Sequence, residues 1–209
     1  MRIAVFSTPR TCSTFVCEIL ASKFNLHNYK EEIYGNFVGP VEGRTQILYE
    51  SENYVTKLFA RYFDEYIDVR TFDWNIFDYV FITQRNNLSD QMASLYNIWN
   101  FRATARLSDV NTIDLENKTI LERFSRQKRY MQLFYNIKNS LLNTHKNVFV
   151  LEYERLQTST TEYLNRVTEL NFSEQNIISK YRKSNIDYKL KYTNYNQLKE
   201  IVDSWGITE

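Results

Sequence analysis

The chain predicts an α/β fold in three layers, a mostly parallel central sheet flanked by helices, on three observations. An apolar run, Ile3 to Phe6, stops at a hydroxyl-rich turn and is followed by Phe15, Val16, Ile19 and Leu20 at helical spacing. Two later apolar runs, Phe77 to Thr83 and Asn147 to Leu156, have the aromatic and β-branched composition of buried strands. Between them, Thr119 to Leu142 reads as a long helix, with Ile120, Phe124, Met131, Phe134, Tyr135, Ile137 and Leu141 largely on one face. Strands that alternate with helices pair in parallel, because each crossover helix returns the chain to the end of the sheet where the previous strand began.

Composition bounds the function before any motif does. With 209 residues the chain is most simply one domain, 1–209, large enough to bury a core without disulfides or a structural metal. A net charge of +1 gives no global case for nucleic acid or an anionic membrane, so any anion site must be local. The cysteines, Cys12 and Cys17, lie too close in sequence for a disulfide framework, and His27 and His145 are isolated, so no zinc pattern is present. The N-terminal apolar run is too short for a signal peptide and no later run reaches transmembrane length. A cytoplasmic protein is the expectation.

The first turn, Ser7-Thr8-Pro9-Arg10-Thr11-Cys12-Ser13-Thr14, joins the first strand to the first helix. Such a loop aims backbone N–H groups and the hydroxyls of Thr11, Ser13 and Thr14 at the helix N-terminus, where the macrodipole favours an anion. Arg10 supplies a guanidinium suited to phosphate or sulfate. A capped helix after an edge strand would look similar, with Arg10 in a surface ion pair. The loop is not a Walker A sequence, since its glycines and its Lys are missing.

Further along, Asn25 to Gly35 reads as a polar connection carrying Glu31 and Glu32, and Gly39 to Glu50 as a loop leading into polar structure. Tyr54 to Phe59 reads as the second strand, with a helix after it through Tyr62 and Tyr66; Lys57 within that strand is either a snorkelling edge residue or a functional cation. Phe77 to Thr83 delivers Arg85, and Ser94 follows nine residues later on the next helix. Residues 97 to 117 read as a lid, an acceptor-binding insertion or a solvated helix end. Tyr153 lies within the run from Asn147 to Leu156, and Thr160 to Leu170 is a further helix. The stretch from Tyr181 to Tyr195 holds Arg182, Lys183, Lys189 and Lys191, a basic loop or merely a solvated charge run, and a last helix, Asn196 to Trp205, stops at Gly206.

These residues resemble the sulfotransferases that use 3'-phosphoadenosine 5'-phosphosulfate (PAPS). The family's first loop runs Pro, a basic residue, a hydroxyl residue, Gly, then two more hydroxyl residues, and Ser13 to Ala21 is similar to the corresponding run of the bacterial trehalose sulfotransferase group. Cys12 stands where most members carry Gly, which bears on the loop's backbone. Asn87 and Arg155 each stand where an Asp is usual, and Phe59 where one class has a histidine base. The resemblance covers residues 1 to about 170.

It implies a P-loop-like fold and a PAPS-dependent transferase. In that assignment Arg10, Thr11, Cys12, Ser13 and Thr14 hold the 5'-phosphosulfate, Arg85 and Ser94 the 3'-phosphate, and Tyr153 lies near the adenine. Glu32, with Glu31 as the near alternative, takes the proton of the acceptor hydroxyl, while Arg10 and Lys57 stabilise the transferring group. The product nucleotide is PAP and no metal is required. The acceptor is a small molecule or carbohydrate, the latter favoured, with peptidyl tyrosine as a further option; no nucleic-acid or membrane partner is implied. Two competitors stand beside this: a nucleotide or small-molecule kinase of related fold, and an inactive PAP(S)-binding module.

Overall fold

The computed structural model describes residues 1–30, 41–104, 111–177 and 186–207. Five strands form one sheet in the order β2-β3-β1-β4-β5, and every pairing is parallel. They are β1 (Arg2–Ser7), β2 (His27–Lys30), β3 (Tyr54–Phe59), β4 (Tyr79–Gln84) and β5 (Val148–Glu152). The long helices are α1 (Ser13–Phe24), α2 (Val41–Glu50), α4 (Leu88–Thr104) and α5 (Lys118–Thr144). Shorter ones are α3 (Ala60–Glu65), α6 (Tyr153–Thr158), α7 (Thr160–Thr168), α8 (Tyr188–Lys191) and α9 (Tyr195–Asp203). The three-layer α/β expectation holds. Among the described residues no helix is long and apolar enough to cross a membrane.

Strand pleating sorts the core into two layers, because successive side chains leave a strand on opposite faces. Ala4, Phe6, Leu58, Val80 and Ile82 pack with Phe63, Phe134, Ile137 and Leu141 from α3 and α5. Ile3, Val5, Val55, Phe81 and Leu151 pack on the opposite face with Phe15, Val16, Ile19 and Leu20 of α1 and Tyr163 and Leu164 of α7. A third cluster joins α4, the first half of α5, α8 and α9 through Met92, Phe124, Met131, Tyr192 and Leu198. Asn117 caps α5, its side chain accepting from Thr119 N and Ile120 N.

Three segments differ from the sequence expectation, and a fourth selects among its alternatives. His27–Lys30, inside the expected polar connection, is an edge strand, so Tyr54–Phe59 is the third strand and not the second. Its four residues are too few and too polar for an alternating pattern, and it forms by pairing with β3, with a register shift between Asn28 and Lys30. Val41–Glu50 is a helix where a loop was expected; of Ile47 and Leu48, its apolar pair, only Leu48 is fully buried. α4 runs on to Thr104, so for 97–104 the helix-end alternative is the one that fits. β5 ends at Glu152, so Tyr153 to Leu156, expected within the strand, lie in helix α6.

The chain leaves β1 for one edge of the sheet through β2 and β3, then crosses to the other through β4 and β5. Ser7 is level with Phe59 on one side and Thr83 on the other, so the loops after β1, β3 and β4 emerge at a common height. Open parallel sheets bind ligands in the crevice beyond such strand ends, where the direction of winding reverses.

Candidate anion-binding site

The loop after β1 has unusual backbone geometry. Arg10 and Cys12 both adopt positive φ, 69° and 63°, in the left-handed region. Each costs roughly 1–2 kcal/mol relative to a right-handed residue, and strain of this kind persists only where its surroundings impose it. Cys12, at the position where the resembled loops carry Gly, thus takes a glycine-like conformation despite its side chain. It is the N-cap residue of α1 and contributes no side-chain cap, and no acidic residue lies in the first turn. The helix therefore presents its positive end to the crevice, unlike α5 and α8, which Asn117 and Asp187 cap.

The loop is tied down by its hydroxyls. Thr11 Oγ1 donates to the Thr8 carbonyl at 2.9 Å and lies 2.8 Å from Thr83 Oγ1 at the end of β4. Gln91 of α4 donates from Nε2 to Thr8 Oγ1 at 2.9 Å and also to the Pro9 carbonyl. Thr11 is thereby buried within the loop's own scaffold, whereas Thr14 sits at the first turn of α1 as an acceptor.

Three cations converge on this end of the sheet. Lys57 shares a pleat face with Val55, the face covered by α1, and its Nζ donates to Thr14 Oγ1 at 2.6 Å. It is only 2% exposed and lies on an interior strand, so the edge-snorkelling alternative does not apply. Arg10 Nε donates to Ser94 Oγ at 2.9 Å, joining the loop to α4. Arg85, 7% exposed, stacks on Tyr153 with its guanidinium carbon 4.4 Å from the ring centroid, and Tyr188 of α8 stands at 5.9 Å.

Arg85 lies over the Tyr153 ring, and the phenol feels several groups of the loop. Burial pushes that phenol up, while Arg85 and Arg10 pull it down and Cys12 and Tyr188 push it further up. Arg10, Cys12, Arg85, Tyr153 and Tyr188 therefore share one electrostatic neighbourhood. Ser94 belongs with Arg10 in this arrangement, since Arg10 is its hydrogen-bond donor.

Arg85 is ion-paired with Asp90, to which its Nη2 donates, and with Glu154, and each carboxylate also serves other donors. Asp90 accepts from Tyr195 at 2.7 Å and lies 3.4 Å from Arg85 Nη2; Glu154 accepts from the Asn86 and Asn87 amides, each at 3.3 Å, and lies 4.0 Å from Arg85 Nε. Arg85 Nε is buried with no hydrogen-bond partner among the described residues, as are Ser7 Oγ at the end of β1 and Gln91 Oε1. Leaving a buried polar group unsatisfied costs about 1–3 kcal/mol. Orphaned atoms at the end of β1, after β4 and on α4 suit a polar ligand in the crevice, and the donors among the surrounding groups suit an anion.

The substituted positions have local explanations. Asn87 Oδ1 accepts from Asp90 N at 3.0 Å, which is helix N-capping that Asn performs as well as Asp. Arg155 pairs with Glu152 at 2.6 Å on the surface, a contact of little energetic weight.

Glu31 and Glu32 lie outside the described residues, as do Arg182 and Lys183 of the basic stretch. Lys189 is exposed, and Lys191 turns to Asn97 Oδ1 on α4. Ser13, buried at the start of α1, completes the loop.

Sequence reasoning missed Thr83, Gln84, Gln91, Lys138 and Tyr188. Gln91 lies one helical turn before Ser94 on α4, so it faces the same loop, and that spacing was available. Lys138 interrupts the apolar face of α5 and donates to Gln84 Oε1 at 2.7 Å beneath the crevice; a lone cation among core positions was its signal. Tyr188 had none. Among the described residues no group of three or more His, Cys, Asp or Glu side chains is placed to hold a metal ion. No family model matches the chain, and no curated protein matches it.

Proposed function

We propose that this chain is a PAPS-dependent sulfotransferase with a P-loop-like nucleotide site, acting on an acceptor hydroxyl in the cytoplasm, with a carbohydrate favoured as acceptor. The observation that carries this reading is the buried Lys57 ammonium held against Thr14 in the first turn of α1. A cation at the positive end of a helix dipole is an arrangement that an anion lying between them stabilises.

In this reading the Cys12 to Thr14 backbone and the Thr14 hydroxyl hold the 5'-phosphosulfate, with Lys57 and Arg10 on either side. The acceptor oxygen forms a bond to sulfur as the bond from sulfur to the bridging phosphate oxygen breaks. The electron pair leaves with PAP, and the acceptor proton passes to Glu32. Lys57 and Arg10 offset charge that develops on the leaving phosphate, an electrostatic contribution that needs no rearrangement because both side chains are already anchored. Arg85, with its orphaned Nε, takes the 3'-phosphate, and Tyr153 and Tyr188 supply aromatic surface for the base.

Isothermal titration with PAP and with ATP, each with and without magnesium, tests this. PAP binding without magnesium, in preference to ATP, is the expected result. Magnesium-dependent ATP binding in preference to PAP would make the chain a kinase, and binding of neither would leave the crevice without a nucleotide role. Sulfuryl transfer measured alongside separates a working enzyme from an inactive PAP-binding module.

A further inference from the structure

A second cavity, of about 500 Å³, lies beside this site, walled by Arg61 and Glu65 of α3, Trp99 of α4, and Arg123, Arg126, Gln127 and Tyr130 of α5. Its connection to the crevice runs through one aromatic ring. Lys57 Nζ lies 5.0 Å from the Phe59 ring centroid, and the Arg61 guanidinium carbon lies 5.4 Å from the same centroid. The cavity wall therefore begins one ring away from Lys57.

Its chemistry is one-sided. Three guanidiniums face a single carboxylate, Glu65, and that carboxylate already accepts from Tyr130 OH at 2.6 Å. Arg123 rests on the Trp99 ring at 5.3 Å, which holds its planar fork in place. Gln127 Oε1 is buried without a hydrogen-bond partner among the described residues, an acceptor that suits a hydroxyl donor. The volume falls in the range of small-molecule sites, roughly 300–1,000 Å³. Guanidinium forks match the planar or tetrahedral oxygens of carboxylate and phosphate.

From this we infer that the cavity binds a hydroxyl-bearing small molecule with an oxyanion, namely a carboxylate- or phosphate-bearing sugar. Its role as the sulfuryl acceptor rests on the sulfotransferase reading; the anion preference of the cavity does not. The arginines bind the oxyanion, Gln127 accepts from a sugar hydroxyl, and a further hydroxyl points past Phe59 towards Lys57.

The test is isothermal titration of the full chain with glucuronate, glucose 6-phosphate and glucose, each with and without saturating PAP, on wild type, Arg126→Ala and Arg123→Ala. Arg126 is exposed, so its variant keeps the fold even if the Arg123 variant loses its packing on Trp99. The expected result is binding of at least one charged sugar, weakened about 10- to 100-fold by Arg126→Ala, with glucose much weaker and PAP affinity unchanged. Which charged sugar wins distinguishes carboxylate from phosphate. Glucose binding as well as the charged sugars would overturn the inference. So would no sugar binding, or the same affinity in the Arg126→Ala variant. If the charged sugar binds through Arg126 while PAP does not bind at all, the cavity stands and the sulfotransferase reading falls.

Discussion

Lys57 on β3 and Thr14 on α1, separated by 43 positions in sequence, meet at 2.6 Å with the lysine buried at a helix N-terminus. An anion over the α1 N-terminus would meet both this ammonium and the positive end of the helix.

Lys57→Met is accordingly expected to bind PAP about 10- to 100-fold more weakly, the scale of one charge-assisted contact, while the unliganded protein stays folded. Calorimetric titration and thermal melts check the two halves. A variant that loses stability and keeps PAP affinity would make Lys57 a structural residue.

Arg85→Ala should weaken PAP binding by roughly 1.5–3 kcal/mol, about one to two decades, because its buried Nε is available to the 3'-phosphate. PAP affinity equal to wild type would remove Arg85 from the site.

Cys12 bears directly on the loop's conformation. With φ at 63°, Cys12→Gly relieves left-handed strain of about 1 kcal/mol at the cost of the contact Cys12 makes with the apolar cluster around α1. Stability close to or above wild type is expected. Cys12→Val should cost about 1–3 kcal/mol, because a branched side chain disfavours that backbone region further. Urea denaturation of both variants decides it, and a Val variant as stable as the Gly variant would count against the left-handed turn.

Glu32→Gln should leave PAP affinity unchanged and lower kcat about 100- to 10,000-fold, the usual span for loss of a general base. Glu31→Gln is the control and should change turnover little. Equal, small effects would send the search for a base to Asp64, Glu65 or the acceptor itself.

Alkaline pH provides a test of the α3–α5 contact. Tyr130 is pushed up to about 12, first by burial, then by its hydrogen bond to Glu65 and the charges of Glu65 and Asp64, with Arg129 opposing. A group whose folded pKa lies above its unfolded value, near 10, stabilises the fold fully below that pH and loses the contribution as pH rises through the folded pKa. Tyr192 and Tyr195 move in the same direction. Stability in urea should therefore fall between about pH 10 and about pH 12, and less steeply in Tyr130→Phe. Identical pH profiles for the two proteins would mean that Tyr130 titrates as an ordinary phenol.

Much of this molecule is local and could be read from the chain. β1, β4 and β5 coincide with apolar runs; β1 and β4 are buried on both faces, which needs continuous hydrophobicity, while β5 is the half-buried edge. α5 follows from its helical periodicity, and the hydroxyl loop from where β1 stops. Arg85 and Ser94 are legible as residues at a strand end and on the helix after it. What no local pattern contains is which of these meet. Arg10 reaches Ser94 across 84 positions, and Lys57 finds Thr14 because pleat parity and the β1–β3 register put it on the face that α1 covers. The polar edge strand β2 exists only because β3 offers it a partner. Cys12 enters the left-handed region only because Thr11, Thr83 and Gln91 hold the loop on both sides. Elements form where short-range hydrophobicity and periodicity suffice; the site forms where strand register, parity and loop anchoring bring distant cations to one end of a sheet, and those depend on the whole tertiary structure.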